Sequence, residues 1–311
     1  MREIKVLDCT LRDGGYVNEW RFGKDNIKTV IEKLNESNID IIECGFLRDD
    51  INNLTDDISI YNSFNDVIKL DSNLFKKDKT YALMMLAEKY DINNLVSRDQ
   101  NVIDTIRLAF HKCDTKKAIK AAEIIKSKGY KLFLQPTATM RYHDEEILEL
   151  IKICNQIQPE AVAIVDTFGE MIADDIIHYS RLFDLNLDEK ITLAFHSHNN
   201  IQTAYSNAML FIQNTSNVRN IVIDASIYGM GRGAGNLCSE LIIDYLNKNF
   251  QSNYSLYPIL EVADNILADI RKKYFWGYSI EYYLSAIYHC HPNYCIYFNS
   301  KKHFLLRIYV C

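Results

Sequence analysis

Apolar positions along the chain fall into short runs that alternate with stretches of helical period. Residues 4–8, 39–44, 81–86, 105–110, 131–135, 161–166, 192–196 and 221–225 read as strands. Between them, residues 26–37, 115–128 and 144–158 repeat apolar side chains at helical spacing. Thr115 and Asp144 are the predicted N-caps, and Gly129 the predicted residue just past a helix end. Eight strand-then-helix units predict an α/β fold of the (β/α)8 TIM-barrel type. The rival, a doubly wound open sheet, usually carries a G-x-G-x-x-G turn after its first strand. Here that turn reads LRDGGYVNEW, which lacks the pattern. Beyond residue 250 the alternation stops. Residues 256–273 keep a helical period, and the stretch after them is aromatic and contains HCHPNY. The expected organisation is a catalytic barrel over residues 1–250 and a short helical C-terminal extension over residues 251–311.

Composition narrows the class. The 311 residues are 48% hydrophobic and 24% charged, which excludes a disordered chain or a fibre. Lys+Arg 35 against Asp+Glu 41 leaves a net charge of -6, which speaks against a nucleic-acid partner. No apolar run approaches the roughly 20 residues that span a bilayer. The chain enters its first strand at once, with no room for a signal peptide. A cytoplasmic protein without a membrane partner is therefore expected. The 8 cysteines form no C-x-x-C pair and sit mostly in apolar runs, so free buried thiols are expected.

In a barrel, chemistry gathers at the C-terminal ends of the strands. The seventh candidate strand ends in His196-Ser197-His198. Residues i and i+2 of an extended chain point to the same side, so two imidazoles aim at one place. An isolated H-x-H is usually a pair of surface histidines, but this one closes an apolar strand. Asp13, after the first strand, faces it across the barrel mouth. Two imidazoles and a carboxylate without thiolate favour Mg²⁺ or Mn²⁺ over structural zinc. Arg12 either stabilises an enolate or carboxylate oxygen there, or belongs to a surface turn. GMGRGAGN, residues 229–236, holds four glycines in eight residues. It either cradles a phosphate or makes a tight strand-to-helix connection. Asn236 at its end offers a neutral oxygen as a fourth ligand. Glu43 and Asp166, at strand ends, either orient the ligands from behind or cap the following helices.

LDCTLRDGG, IIECGF, DTFGEM, FHSHNN and GMGRGAGN occur in this order. Together they resemble the metal-dependent aldolase and acyl-CoA lyase/synthase superfamily, whose barrels are like that of HMG-CoA lyase. The resemblance runs from about residue 3 to residue 240. It implies Asp13, His196 and His198 as metal ligands, Asn236 as the ligand seen in the lyases, and Arg12 as the arginine that stabilises the enolate. The lyases also place a catalytic Cys in the Gly-rich loop, and none stands in residues 230–235. The aldolases, such as 4-hydroxy-2-oxovalerate aldolase, follow R-D-G with Ser-His, where the His transfers the proton. Here Tyr16 stands in its place. Tyr16 itself, or His291 or Tyr294 from the extension, is then the proton-transfer candidate. A phenol with pKa near 10 is a poor base at neutral pH but a good proton donor.

The resemblance implies a lyase: an aldolase that cleaves or forms a C–C bond of a 4-hydroxy-2-oxo acid through a pyruvate enolate. Mn²⁺ or Mg²⁺ would be the cofactor, and a 2-oxo acid and an aldehyde the small-molecule partners. A homo-oligomer is expected. Aldolases of this kind can also pair with a dehydrogenase that consumes the aldehyde. Two alternatives stay open: an acyl-CoA lyase or synthase of the same superfamily, and a non-catalytic barrel serving as a scaffold.

Overall fold

The computed structural model of the chain describes residues 2–51, 54–98, 103–290, 293, 294 and 297. Nine parallel strands are present: β1 (Ile4–Asp8), β2 (Ile41–Leu47), β3 (Ile60–Tyr61), β4 (Thr80–Leu86), β5 (Ile103–Phe110), β6 (Lys131–Pro136), β7 (Ala161–Asp166), β8 (Thr192–Ser197) and β9 (Ile221–Ala225). Eight of them close on themselves, because β1 pairs with both β9 and β2. This is a (β/α)8 barrel. The short β3 lies outside the ring and pairs with the C-terminal end of β2. No helix among the described residues is long and apolar enough to cross a membrane.

The strands form where the apolar runs are, since each is covered on both sides. All eight residues of β5 and all six of β7 are buried. Outward residues meet the helices. In the helix Thr115–Ser127 these partners are Ala118, Ala121, Ala122 and Ile125, one face at helical spacing. Inward residues at the base are apolar, among them Leu7, Ile41, Ala82, Phe133, Ala161, Ala194 and Val222. The next inward positions of β2, β5 and β9 are charged: Glu43, Arg107 and Asp224. All three are buried.

Three local expectations need correction. The second strand starts and ends later than residues 39–44. Its register breaks between Glu43 and Phe46, around Gly45, whose φ is +149°. A Cβ there would lie 2.1 Å from the Ser59 carbonyl, so β3 docks only because that residue is glycine. The predicted N-caps are each one residue late. Thr115 and Asp144 are the first helical residues, and His143 takes the cap position, its N–H donating to Glu146 at 2.8 Å. Gly129, with φ +86°, does follow the helix end as expected.

After the helix Ser239–Phe250 come the helices Leu256–Val262 and Ile280–Ile287. This extension is tied to the barrel at separated points. The Tyr254 hydroxyl donates to Asp40, the Ser255 N–H donates to the Ser37 carbonyl at 3.1 Å, and Lys33 pairs with Glu261 at 2.9 Å. Trp276 is 1% exposed. Its indole N–H donates to the Tyr228 carbonyl at 3.0 Å, and Arg271 lies 5.0 Å from its ring. Cys9, Cys44 and Cys154 are buried free thiols. Trp276→Ala should cost roughly 3–5 kcal/mol, the range for emptying a buried aromatic site. Denaturant unfolding checks this; a loss under about 1 kcal/mol would mean that Trp276 does not anchor the extension.

Candidate active site

A hydrogen-bonded turn after β1 carries Asp13 over the barrel mouth. The N–H groups of Arg12 and Asp13 both donate to the Cys9 carbonyl, at 3.1 and 2.7 Å. The Asp8 carboxylate fixes the start of that turn, accepting from the Thr10 N–H at 2.9 Å and the Ser239 hydroxyl at 2.6 Å. Opposite, β8 presents His196 and His198 on one side, with ring centroids 5.1 Å apart. Ligand atoms of Asp13, His196 and His198 lie within 4.8 Å of one another, and all three residues are buried.

Each imidazole is oriented through Nδ1. His196 Nδ1–H donates to Asp224 at 2.9 Å, and His198 Nδ1–H donates to the Arg232 carbonyl at 3.2 Å. Both leave Nε2 for a metal, the arrangement in which an outer acceptor sets tautomer and ring direction. Two buried oxygens nearby, Asp13 Oδ2 and Asn236 Oδ1, have no hydrogen-bond partner. Buried polar atoms are rarely left so, and Asp13 Oδ2, 3.8 Å from His198 Nε2, fits a divalent cation held between carboxylate and imidazoles. Asn236 reaches this position because it pairs with His198 across an isolated antiparallel bridge. The glycines make that approach possible: a Cβ on Gly231 would lie 2.5 Å from the Asn236 amide. The Gly-rich loop makes a tight connection between β9 and the helix Ser239–Phe250. Its N–H groups at Gly229, Met230, Gly235 and Asn236 are spent on Ser226, Ile227, Arg232 and Gly229 carbonyls.

Behind the ligands runs a line of ion pairs. Arg12 Nη1 donates to Asp13 Oδ1 at 2.7 Å, and its Nε donates to Glu43 at 2.7 Å. Arg107 Nη1 pairs with the same Glu43 oxygen at 2.9 Å, and its Nη2 with Asp224. Asp224 holds His196. Burial alone would raise the Asp13 carboxyl, but Arg12 and then the two imidazoles outweigh it and hold Asp13 well below the usual range. Burial pushes His198 down to about 4, so it is neutral and able to ligate at pH 7.

The cavity above these residues is a void of about 70 Å³. Its walls include Phe46, Met84, Leu86, Ala109 and Val165, with Gln135 and Thr137 at the end of β6. Tyr16 is among the lining residues, packed edge-on against Trp20 with ring centroids 4.8 Å apart. Burial raises its phenol above the ordinary value, with Arg12 opposing.

The structure brings Arg12, Asp13, Tyr16, His196, His198 and Asn236 together at the mouth. Glu43 stands behind them and touches Arg12 rather than a ligand. The Asp166 carboxylate instead accepts the N–H groups of Glu170 and Met171, at 2.9 and 3.2 Å, in the loop ahead of the helix Ala173–Asn186, so it neither holds a ligand nor caps that helix. Its main-chain carbonyl accepts the His198 N–H at 3.2 Å. Burial raises the Asp166 carboxyl to about 7. Tyr294 is 62% exposed and does not line the cavity. His291 lies outside the described residues.

Three residues were not singled out by the sequence. Arg107 and Asp224 were visible as charges inside apolar strands, a signal of paired burial. Gln135 is 3% exposed, and its Nε2 has no partner. The neighbouring hydroxyls are spent: Thr137 donates to the Phe110 carbonyl at 3.0 Å, and Thr167 accepts the Ala138 N–H at 2.8 Å. Gln135 therefore offers the cavity an amide that the protein does not satisfy.

Known proteins are similar to this chain in sequence and fold. A 4-hydroxy-2-oxovalerate aldolase from Geobacillus genomosp. 3 is 25% identical over 269 residues, covering 85% of this chain and 77% of the relative. The N-terminal domain of a candidate aldolase from Bacteroides vulgatus superposes with a TM-score of 0.79 at 26% identity, over 95% of this chain and 96% of that one. The HMG-CoA lyase of Brucella melitensis shares the fold, with a TM-score of 0.66 at 12% identity, over 88% of this chain and 100% of that one. The profile of the HMGL-like family matches residues 3–266. With that match spanning most of its length, the chain belongs to the HMGL-like family.

Proposed function

We propose that the protein is a divalent-metal-dependent aldolase that cleaves or forms the C3–C4 bond of a 4-hydroxy-2-oxo acid. The observation that carries this reading is the convergence of Asp13, His196 and His198, whose ligand atoms lie within 4.8 Å of one another while both imidazoles are oriented through Nδ1. The residues that would hold the ion are Asp13, His196, His198 and Asn236, a set suited to Mn²⁺ or Mg²⁺. A bound divalent ion supplies Lewis-acid charge that polarises the 2-oxo group and favours the pyruvate enolate.

The chain's own residues do the rest. Arg12, clamped by Glu43 and Asp13, holds its guanidinium beside the ligand set and shares the charge that develops on the C2 oxygen. In cleavage, the C4 hydroxyl gives up a proton, the C3–C4 bond breaks, and its electron pair passes to the enolate. An aldehyde leaves, and C3 takes up a proton to give pyruvate. Condensation runs these steps backwards, and the aldehyde oxygen must then receive a proton. A phenol keeps its proton at neutral pH, so Tyr16, which lines the cavity, suits that donation. Gln135, on the far side of the barrel from Asp13, offers the aldehyde oxygen a further donor. The narrow cavity fits a small oxo acid, and aldolase relatives at 25% identity support the same reaction class.

Wild-type protein titrated with Mn²⁺ should bind one ion per chain. His196→Ala should lose that binding by 100-fold or more yet keep its circular dichroism, since Asp224 retains Arg107 as a partner. Undiminished Mn²⁺ binding in His196→Ala would place the ion elsewhere.

Coupled to a pyruvate-consuming dehydrogenase, the Mn²⁺-loaded protein should release pyruvate from a 4-hydroxy-2-oxo acid. Arg12→Lys should lower kcat by about 10²–10³, as for loss of an oxyanion donor, because a point charge cannot reproduce the planar fork. A near-wild-type rate would remove Arg12 from the chemistry. Turnover of an acyl-CoA with no pyruvate released would overturn the aldolase reading.

A further inference from the structure

The aldolase reading leaves open what the aldehyde half carries, and the charges around the cavity bear on that. Among the described residues lining the cavity Asp13 is the one acid, while Arg12 and Arg232 both line it. The ion pairs beneath the mouth join three carboxylates, Asp13, Glu43 and Asp224, to two guanidiniums, Arg12 and Arg107. That group carries one net negative charge. A divalent ion and a singly charged 2-oxo acid bring it to neutral. The Arg232 guanidinium lies on the cavity wall, outside that group.

Arg232 is held there by its backbone. Its carbonyl accepts from His198 Nδ1 at 3.2 Å, and its guanidinium lies 5.2 Å from the centroid of the Tyr16 ring. The flanking glycines are required. A Cβ on Gly231 would meet the Asn236 amide at 2.5 Å, and one on Gly233, at φ +68°, would meet Asn200 Oδ1 at 2.7 Å. The loop thus fixes a guanidinium over the proton-transfer candidate, next to a ligand histidine. A guanidinium has five donors in a planar fork, so it can take a substrate carboxylate alongside a protein partner.

We infer that Arg232 is a specificity-determining residue that binds a carboxylate on the aldehyde half, so that the preferred substrate is a 2-oxo diacid with the 4-hydroxyl between its two ends. The apolar wall of Met84, Leu86 and Ala109 accommodates the carbon chain of any aldehyde and does not select its charge. Selection falls to Arg232. This inference rests on the aldolase reading and on a 2-oxo acid binding at the ligand set.

The test compares two unreactive ligands of equal length, 2-oxoglutarate and 2-oxopentanoate, which differ only in a carboxylate or a methyl at C5. Calorimetry with the Mg²⁺-loaded protein should find the diacid bound tenfold or more tightly, as for a hydrogen bond to a charged group. Arg232→Met should bring the diacid down to the affinity of the monoacid, and Arg232→Lys should restore part of the difference. Equal affinities in the wild type, or a loss in Arg232→Met that weakens both ligands alike, would overturn the assignment. Binding of neither ligand to protein shown to hold Mg²⁺ would sink the oxo-acid reading and this inference with it. A preference for the diacid that survives in Arg232→Met would exclude Arg232 alone.

Discussion

Two of the ligand candidates, Asp13 and His196, are the ends of one buried line of opposite charges. It runs from Asp13 through Arg12, Glu43, Arg107 and Asp224 to the imidazole of His196. Taking such charges out of water costs several kcal/mol each, and mutual pairing offsets that cost only when every member is present. Removing one partner leaves a buried charge alone, at about 3–5 kcal/mol. The line therefore ties stability to geometry. The same contacts that allow charged residues inside an apolar barrel also aim the carboxylate and the ring at one point.

The barrel makes this line possible because alternate residues of each strand share its interior. Small side chains such as Ala161 and Ala194 fill the base, leaving space above them for Arg107. The catalytic end is then closed by two turns with little freedom. One follows β1 and carries Arg12 and Asp13. The other follows β9 and carries Arg232 and Asn236, with its backbone close to that of β8 because glycines stand where a Cβ would collide. Trp276 packs behind this second turn, so the extension supports the site without supplying a described side chain to the cavity.

Much of this was legible in the sequence, for physical reasons that differ by element. The barrel strands were visible because burial on both faces demands apolar runs. The two-residue β3 was not, since two residues carry no period, and the late start of β2 depends on how Gly45 and Ser59 meet. Asp13, His196 and His198 were legible because the spacing of i and i+2 at a strand end fixes direction. The positions of Asp224 and Arg107 could be noticed as charges in apolar strands, but their pairing crosses the barrel. Gln135 looked like any polar strand end until its neighbours proved to be satisfied. The proton-transfer candidates in the extension had no period linking them to the mouth, and Tyr294 is exposed.

The central claim is that these residues let a 2-oxo acid form its enolate at the barrel mouth. Proton exchange at the pyruvate methyl group reads that step without any knowledge of the aldehyde. Pyruvate in deuterium oxide with Mg²⁺-loaded protein, followed by proton NMR, should lose its methyl signal. The loss should stop on chelation, stop in Asp13→Ala, and slow in Tyr16→Phe. A methyl signal that persists with metal bound, in protein that turns over an acyl-CoA, would contradict the account.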